Sequence, residues 1–345
     1  MSIKSLLWGL GTTLVLGCPL FISHGQTIQA SQWSVPRTEH DYPDMQGNWT
    51  NPYLTPLERP IALGMQRSYT PDQARAILDQ ARAEDAQRQA PIDPNRPPPP
   101  AGGIIDNQAD GNFEIMPSEF AIINAEIRTS YVVEPANGRL PRLDSFRDIH
   151  QQRRAQGKGR FDGPEGLTPL DRCLSPGAQL PLMRVFGGMG NPAGDNPVRN
   201  IQIVQNQDYV VILTEYFSLV RIIRLDSDYL SGQGNKWMGD SIGHYEGDSL
   251  IVHTRHFRPE QSLGDLRSSR DFEVEESYTR IGEEEILFRY TVNDPKVYSQ
   301  PFTAEMTLRR MAPEHKLYEY ACHEGNYSVP SMLRAARMEE LGLLN

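Results

Sequence analysis

The chain is poor in the residues that announce a cofactor. It has only three cysteines in 345 residues, and they stand far apart at Cys18, Cys173 and Cys322. No C-x-x-C pair, G-x-G-x-x-G turn or Walker loop occurs, so no thiol-redox, dinucleotide or nucleotide cofactor is expected. A run of basic residues is also missing. With a formal net charge of −10 the chain repels phosphate backbones, which argues against a nucleic-acid partner. Long apolar runs are absent too. The longest, Leu6 to Leu20, is short and interrupted by glycine and threonine, a poor match to a membrane span. Finally, strands do not alternate with helices, which excludes the doubly wound α/β architectures.

The first residues read as an export signal. Lys4 supplies the positive n-region, Leu6 to Leu20 the apolar core, and Ser23 and Gly25 the small residues of a cleavage site. The signal is assigned to residues 1–25, and the mature protein is expected to be exported and periplasmic with no transmembrane segment. Val15-Leu16-Gly17-Cys18 partly matches a lipobox, but Pro19 directly after the cysteine argues against lipidation. Removing Lys4 with the signal takes the charge from −10 to −11. Cys173 and Cys322 then remain, and an even count in an oxidising compartment points to one disulfide.

Residues 26–112 read as an extended arm carrying one helix at 70–90. Thr70 is its N-cap, Pro71 its first residue and Gln73 completes a capping box, while Ala74, Ile77, Leu78 and Ala81 form a narrow apolar stripe. The proline-rich PIDPNRPPPPAGG at 91–103 follows as a stiff linker. Residues 113–345 are assigned to a β domain. Strands are expected at 128–134, closed by the turn Pro135 to Gly138, and at 201–205, 209–217, 219–225, 249–257, 271–280, 285–292, 302–310 and 316–322. Residues 144–157 and Ser331 to Leu343 are expected to be helical, and 158–200 to be loop. Strands so closely spaced form hairpins. The fold class is therefore mainly β, an antiparallel meander closing into a calycin-like barrel or barrel-like sandwich.

Residues 239–250, GDSIGHYEGDSL, match two serine-hydrolase signatures. A nucleophile elbow needs a helix after the serine, whereas Ser249-Leu250-Ile251-Val252-His253 is strand chemistry. The GDSL family resemblance fails as well, since no histidine here follows an aspartate by three positions. The segment reads instead as a hairpin turning at Glu246-Gly247-Asp248. Leu250, Val252, Thr254 and His256 then share one face, and Ile251, His253, Arg255 and Phe257 the other. Spacing two puts His244, Glu246 and Asp248 on one face, a divalent-cation set that the turn at Gly247 disrupts, so no metal is expected. His253 and His256, three apart on a strand, diverge.

Two constellations remain for chemistry. Period two groups Glu215 with Val211, Leu213 and Phe217. In the interior such a carboxylate would be a candidate general acid or base; the alternatives are a strand end, or a salt bridge to Arg221 or Arg224. A Cys173–Cys322 bridge would bring Asp171 and Arg172 to His323, Glu324 and Asn326, as a structural brace or a catalytic cluster. Glu215, His323 and Glu324 are the catalytic candidates, and Asp171, Arg172, Arg221, His244 and Asn326 the binding candidates.

TNPYLTPLERP, PLDRCL, DYVVILTE, GDSIGHYEGDSLIV and YEYACHEGNY, in this order, resemble a family of exported bacterial proteins of unknown function. That resemblance implies Arg-Trp at the positions of His244 and Tyr245, an acidic residue at His253 and Asn at His256, so a histidine metal site is not a shared feature. It carries over no catalytic residue. The reading that results is a barrel enclosing a small apolar or aromatic compound, with acid–base chemistry (hydrolysis, elimination or isomerisation) if it is an enzyme. The alternative is a non-catalytic envelope binding or structural protein.

Overall fold

Alternation of apolar and polar residues builds most of this molecule. The computed structural model describes residues 33–88, 95, 119–175, 200–232, 234–261 and 266–343. Among the described residues twelve strands run in chain order. The first four are β1 (Gly47–Thr50), β2 (Ile122–Ile123), β3 (Glu126–Ile127) and β4 (Val132–Glu134). Then come β5 (Asn200–Gln205), β6 (Tyr209–Thr214), β7 (Val220–Leu225) and β8 (Asp240–Glu246). The last are β9 (Ser249–Arg255), β10 (Glu273–Arg280), β11 (Glu285–Asn293) and β12 (Phe302–Arg310). β2 and β3 pair only with each other. β1 pairs with both β5 and β12, so β1 and β5 through β12 close a nine-stranded barrel, and β4 adds to β12 beside the closure.

The barrel is a packed core. Inward positions on successive strands are Trp49, Ile201 and Ile203, Val210 and Ile212, Leu250 and Val252, then Phe288, Tyr290, Phe302 and Met306, all buried in one cluster. Tyr278, Phe288 and Tyr290 form a ladder with centroids 4.5 and 5.4 Å apart. Each large apolar side chain removed from water contributes about 1.5–3 kcal/mol, so filling the lumen is what holds the strands in register.

Three features depart from the sequence expectation. The arm is not all arm: its Gly47–Thr50 segment is the strand that closes the barrel, with Trp49 wholly buried. The meander is broken once, where β8 lies parallel to β7 after a crossover through 226–239 that holds no helix among its described residues. The expected strand at 316–322 is irregular chain that pairs with no strand of the barrel.

The helices lie outside the barrel. α1 (Pro71–Arg88) has the expected capping box: Thr70 Oγ1 accepts from Gln73 N at 3.2 Å and Gln73 Oε1 from Thr70 N at 2.9 Å. Its apolar stripe packs on Leu54 and Phe120. α2 (Ile149–Ala155) carries a second box from Asp148 and Gln151, and α3 (Ser328–Glu340) buries no side chain. The signal, Cys18, the 91–103 linker apart from Asn95, and the loop around FGGMGNPAGDNP lie outside the described residues.

Candidate functional site

Two polar features gather at one end of the barrel, its base, where β6, β9 and β11 finish and β7, β8, β10 and β12 begin. The first is inside. Arg221 is in phase with Ile223 and Leu225 on the inward face of β7, and Glu276 is in phase with Val274 and Tyr278 on β10. Their side chains meet in a two-pronged ion pair, Nη1 to Oε1 at 2.8 Å and Nη2 to Oε2. Arg221 also donates to Ser241 Oγ at 3.0 Å and Thr254 Oγ1 at 2.7 Å, and Tyr278 donates its hydroxyl to Glu276 Oε1 at 3.0 Å.

All five side chains are buried. Burial alone would lower the Arg221 guanidinium, but the Glu276 carboxylate outweighs it and the net direction is upward. Burial, then the Glu276 charge, pushes the Tyr278 hydroxyl well above its ordinary range, so it stays a neutral donor. The arrangement is a closed charge pair with its hydrogen bonds satisfied, which is what a desolvated pair requires.

This network also explains the serine-hydrolase imitation. Ser241 faces inward and hydrogen-bonds Arg221 and Thr254, not a histidine. Gly239 is glycine because φ is +68° and a Cβ would meet Thr254 Cγ2 at 2.7 Å and Phe257 Cε1 at 2.8 Å. At Gly243 a Cβ would meet Ile223 Cγ2 and the Ile251 carbonyl, each at 2.9 Å, because the parallel strand β7 passes close. The G-x-S-x-G spacing is therefore a packing pattern.

The second feature is an open cleft outside the same end, in two lobes separated by α2 and the loop after β9. One lobe, about 580 Å³, is bordered by Phe146, Arg147, Arg270 and Lys296. The other, about 390 Å³, is bordered by Arg153, Arg172, Trp237 and Arg258. Ile149, Gln152 and Glu260 border both. The Asp148 capping box fixes the start of α2 and so the wall between the lobes. The Arg258 guanidinium lies 5.1 Å from the centre of the Trp237 ring.

The sequence-predicted residues scatter. Glu215 is not in the lumen: Val210, Ile212 and Thr214 take the inward face of β6, and Glu215 stands half-buried at the strand end, accepting from Asn200 Nδ2 at 3.2 Å. Neither arginine offered as its partner reaches it. Arg221 binds Glu276, and Arg224 binds Asp240 at 2.9 Å. The Cys173–Cys322 disulfide is present. Beside it Asn326 Nδ2 donates to Cys173 Sγ at 2.8 Å, while Asp171 pairs with Arg160 at 2.9 Å.

His323 and Glu324 are exposed. Tyr320 links this segment to the turn after Glu215, its ring 4.6 Å from Tyr216 and 5.1 Å from Phe217. The cluster is thus a brace at the barrel base rather than an enclosed pocket, and of its members only Arg172 borders the cleft. His244 points outward, 2.9 Å from Glu246, with its ring stacked 6.3 Å from His253; Asp248 pairs with Arg37 instead. His256 leaves the face expected for it, because φ +62° turns the chain and puts Phe257 into the core. No group of three or more His, Cys, Asp or Glu among the described residues could hold a metal.

The interior ion pair was missed, although a signal existed. Arg221 and Glu276 each keep step with an apolar face, the pattern applied to Glu215 one residue out of phase. The cleft left no such signal, since its residues come from α2 and from several separate connections between strands.

No protein-family model and no curated protein sequence matches the chain. Among solved structures, a crystal structure of a point mutant of the fluorescent protein UnaG is similar over 33% of this chain and 71% of that one, at 13% identity and a TM-score of 0.21. A likeness of that extent says nothing about a shared ligand.

Proposed function

We propose that the protein is exported and binds a small aromatic or apolar molecule in the cleft at the base of its barrel, not inside it. The observation that carries this reading is the pair of lobes on either side of α2, walled by Phe146 on one side and Trp237 on the other. Volumes of about 580 and 390 Å³ lie within the range of ligand sites, whereas the lumen is occupied by its own aromatic side chains. The disulfide is the chemistry of an oxidising compartment, in keeping with the signal at residues 1–25. Among the described residues, no helix is long and apolar enough to cross a membrane.

The assignment is to binding rather than catalysis. Glu215, His323 and Glu324 border neither lobe. The test is a fluorescence titration of the full chain with small aromatic compounds, repeated with Trp237→Ala and Phe146→Ala. Saturable binding that both substitutions weaken supports the reading. Binding that neither alters, or no saturable binding by any compound, sinks it. Appearance of the intact protein in the cytoplasmic fraction of the producing cell would remove the export part.

A further inference from the structure

We propose that the cleft is selective for an organic anion, an aromatic or apolar molecule carrying a carboxylate or a like group. This rests on the binding reading above and adds the ligand's charge. Arg147, Arg270 and Lys296 border one lobe. Arg153, Lys158, Arg172 and Arg258 border the other. Against these seven basic side chains stand two carboxylates, Glu165 and Glu260. The surplus of five positive charges sits in a chain whose formal net charge is −10, so the rest of the molecule carries −15. A concave surface of one sign within a surround of the other concentrates the field on an entering anion.

The way these cations are held leaves their charge available. Arg147 Nη1 donates to the backbone carbonyls of Asp144 and Phe146, at 2.6 and 2.9 Å. Arg258 Nε donates to the Asn235 carbonyl at 3.4 Å and lies over Trp237. Neutral acceptors and a ring face position a guanidinium without cancelling it. Arg147, Arg258 and Arg270 form no ion pair among the described residues, whereas Arg172 shares the field of Glu165 with Arg153. Two other cations of the set are already engaged, Arg153 by Glu165 at 3.3 Å and Lys296 by Asp271 at 2.7 Å.

Arg153 also keeps its Nε buried without a hydrogen-bond partner among the described residues, an uncompensated donor beside the second lobe. The aromatic wall and the guanidinium group lie side by side at Trp237 and Arg258, which suits a flat ring with a charged substituent on one edge.

The test pairs each anion with its neutral isostere. Naphthylacetate, indoleacetate and phenylpropanoate are titrated into the full chain by calorimetry, each against its own primary amide. At least one acid is expected to bind about tenfold or more tighter than its amide, the factor one charge-assisted hydrogen bond supplies. Arg258→Gln and Arg270→Gln should reduce that preference, and Arg75→Gln on the remote, exposed face of α1 should not. If acids and amides bind equally, the cleft binds small molecules but the charge selectivity is wrong. If no acid and no amide binds, both readings fall. A preference that survives Arg258→Gln and Arg270→Gln together would place the anion elsewhere and overturn the assignment.

Discussion

Replacing Arg221 by methionine removes one half of an ion pair that has no access to water. Arg221 and Glu276 are 2% and 1% exposed, so the carboxylate left behind cannot be rehydrated without opening the barrel. Truncating one member of such a pair costs about 3–5 kcal/mol. Ser241 and Thr254 keep each other at 2.9 Å and absorb little of that. For a fold whose whole stability is on the order of 5–15 kcal/mol, the loss is about a fifth or more. The assay is urea unfolding followed by tryptophan fluorescence at matched slope, so that the midpoint reports stability alone. The companion variant Arg221→Met/Glu276→Leu/Tyr278→Phe removes every charge and the orphaned hydroxyl together. It should recover most of the deficit, since packed apolar side chains replace buried ion pairs at little net cost. A loss below about 1 kcal/mol for Arg221→Met would refute the argument. So would a triple variant no more stable than the single one.

Other consequences can be checked with the same unfolding assay. Asp240 fastens the crossover to the foot of β8. Burial would raise its carboxyl, but the Arg224 hydrogen bonds and the Leu230 N–H outweigh that and hold it below the usual range. A depressed carboxyl stabilises above its unfolded pKa and loses that contribution as pH falls through the folded value. Asp240→Asn should therefore cost about 1–3 kcal/mol at neutral pH, with the gap to wild type closing only below the ordinary aspartate range; a gap independent of pH would contradict this. Gly239→Ala combines a left-handed backbone with contacts of 2.7 and 2.8 Å, and should lower the stability by at least the ~1–2 kcal/mol of the conformational penalty alone, with a lower midpoint. An unshifted midpoint would show that the turn relaxes freely. Reducing the disulfide should destabilise by up to about 4–5 kcal/mol in the chain-entropy estimate. Labelling of Cys173 and Cys322 in the unreduced, unfolded protein would mean that the bridge is absent.

Strand positions were legible wherever one face is wet. Burial in β9 and β11 alternates without fault, and the sequence follows it except at the outward Ile251 and Leu287. β12 did not reveal its second covering, because Thr303 and Glu305 are buried beside β4 and Arg128, and Thr307 beside Tyr53, rather than exposed. β1 was hidden by its brevity: four residues, GNWT, give no period to read, and their place follows from two partners distant in sequence. The phase error at Glu215 had a local cause. β6 stops at Thr214, and Phe217 reaches the core by a left-handed turn at φ +65°. Extrapolating period two beyond a strand's end assigns faces that no longer exist. The cleft was illegible because it depends on where loops meet.

Closure by β1 and β12 gives the barrel a seam. Two register pairs join these strands, Trp49 opposite Arg310 and Thr50 opposite Arg309, where eight join β11 to β12. The seam unites the first strand of the barrel with the last in chain order, so it cannot be completed until β12 has formed. Contacts so distant in sequence are among the slowest to form. Until they do, β5 and β12 present open edges of the kind that recruit other chains. Trp49, held between Arg310 and Arg280 with ring distances of 4.3 and 5.3 Å, sits at that junction and is its natural reporter. The barrel is thus a clasp that must be threaded whole before it can be fastened, and damage at either strand of the seam opens the same gap.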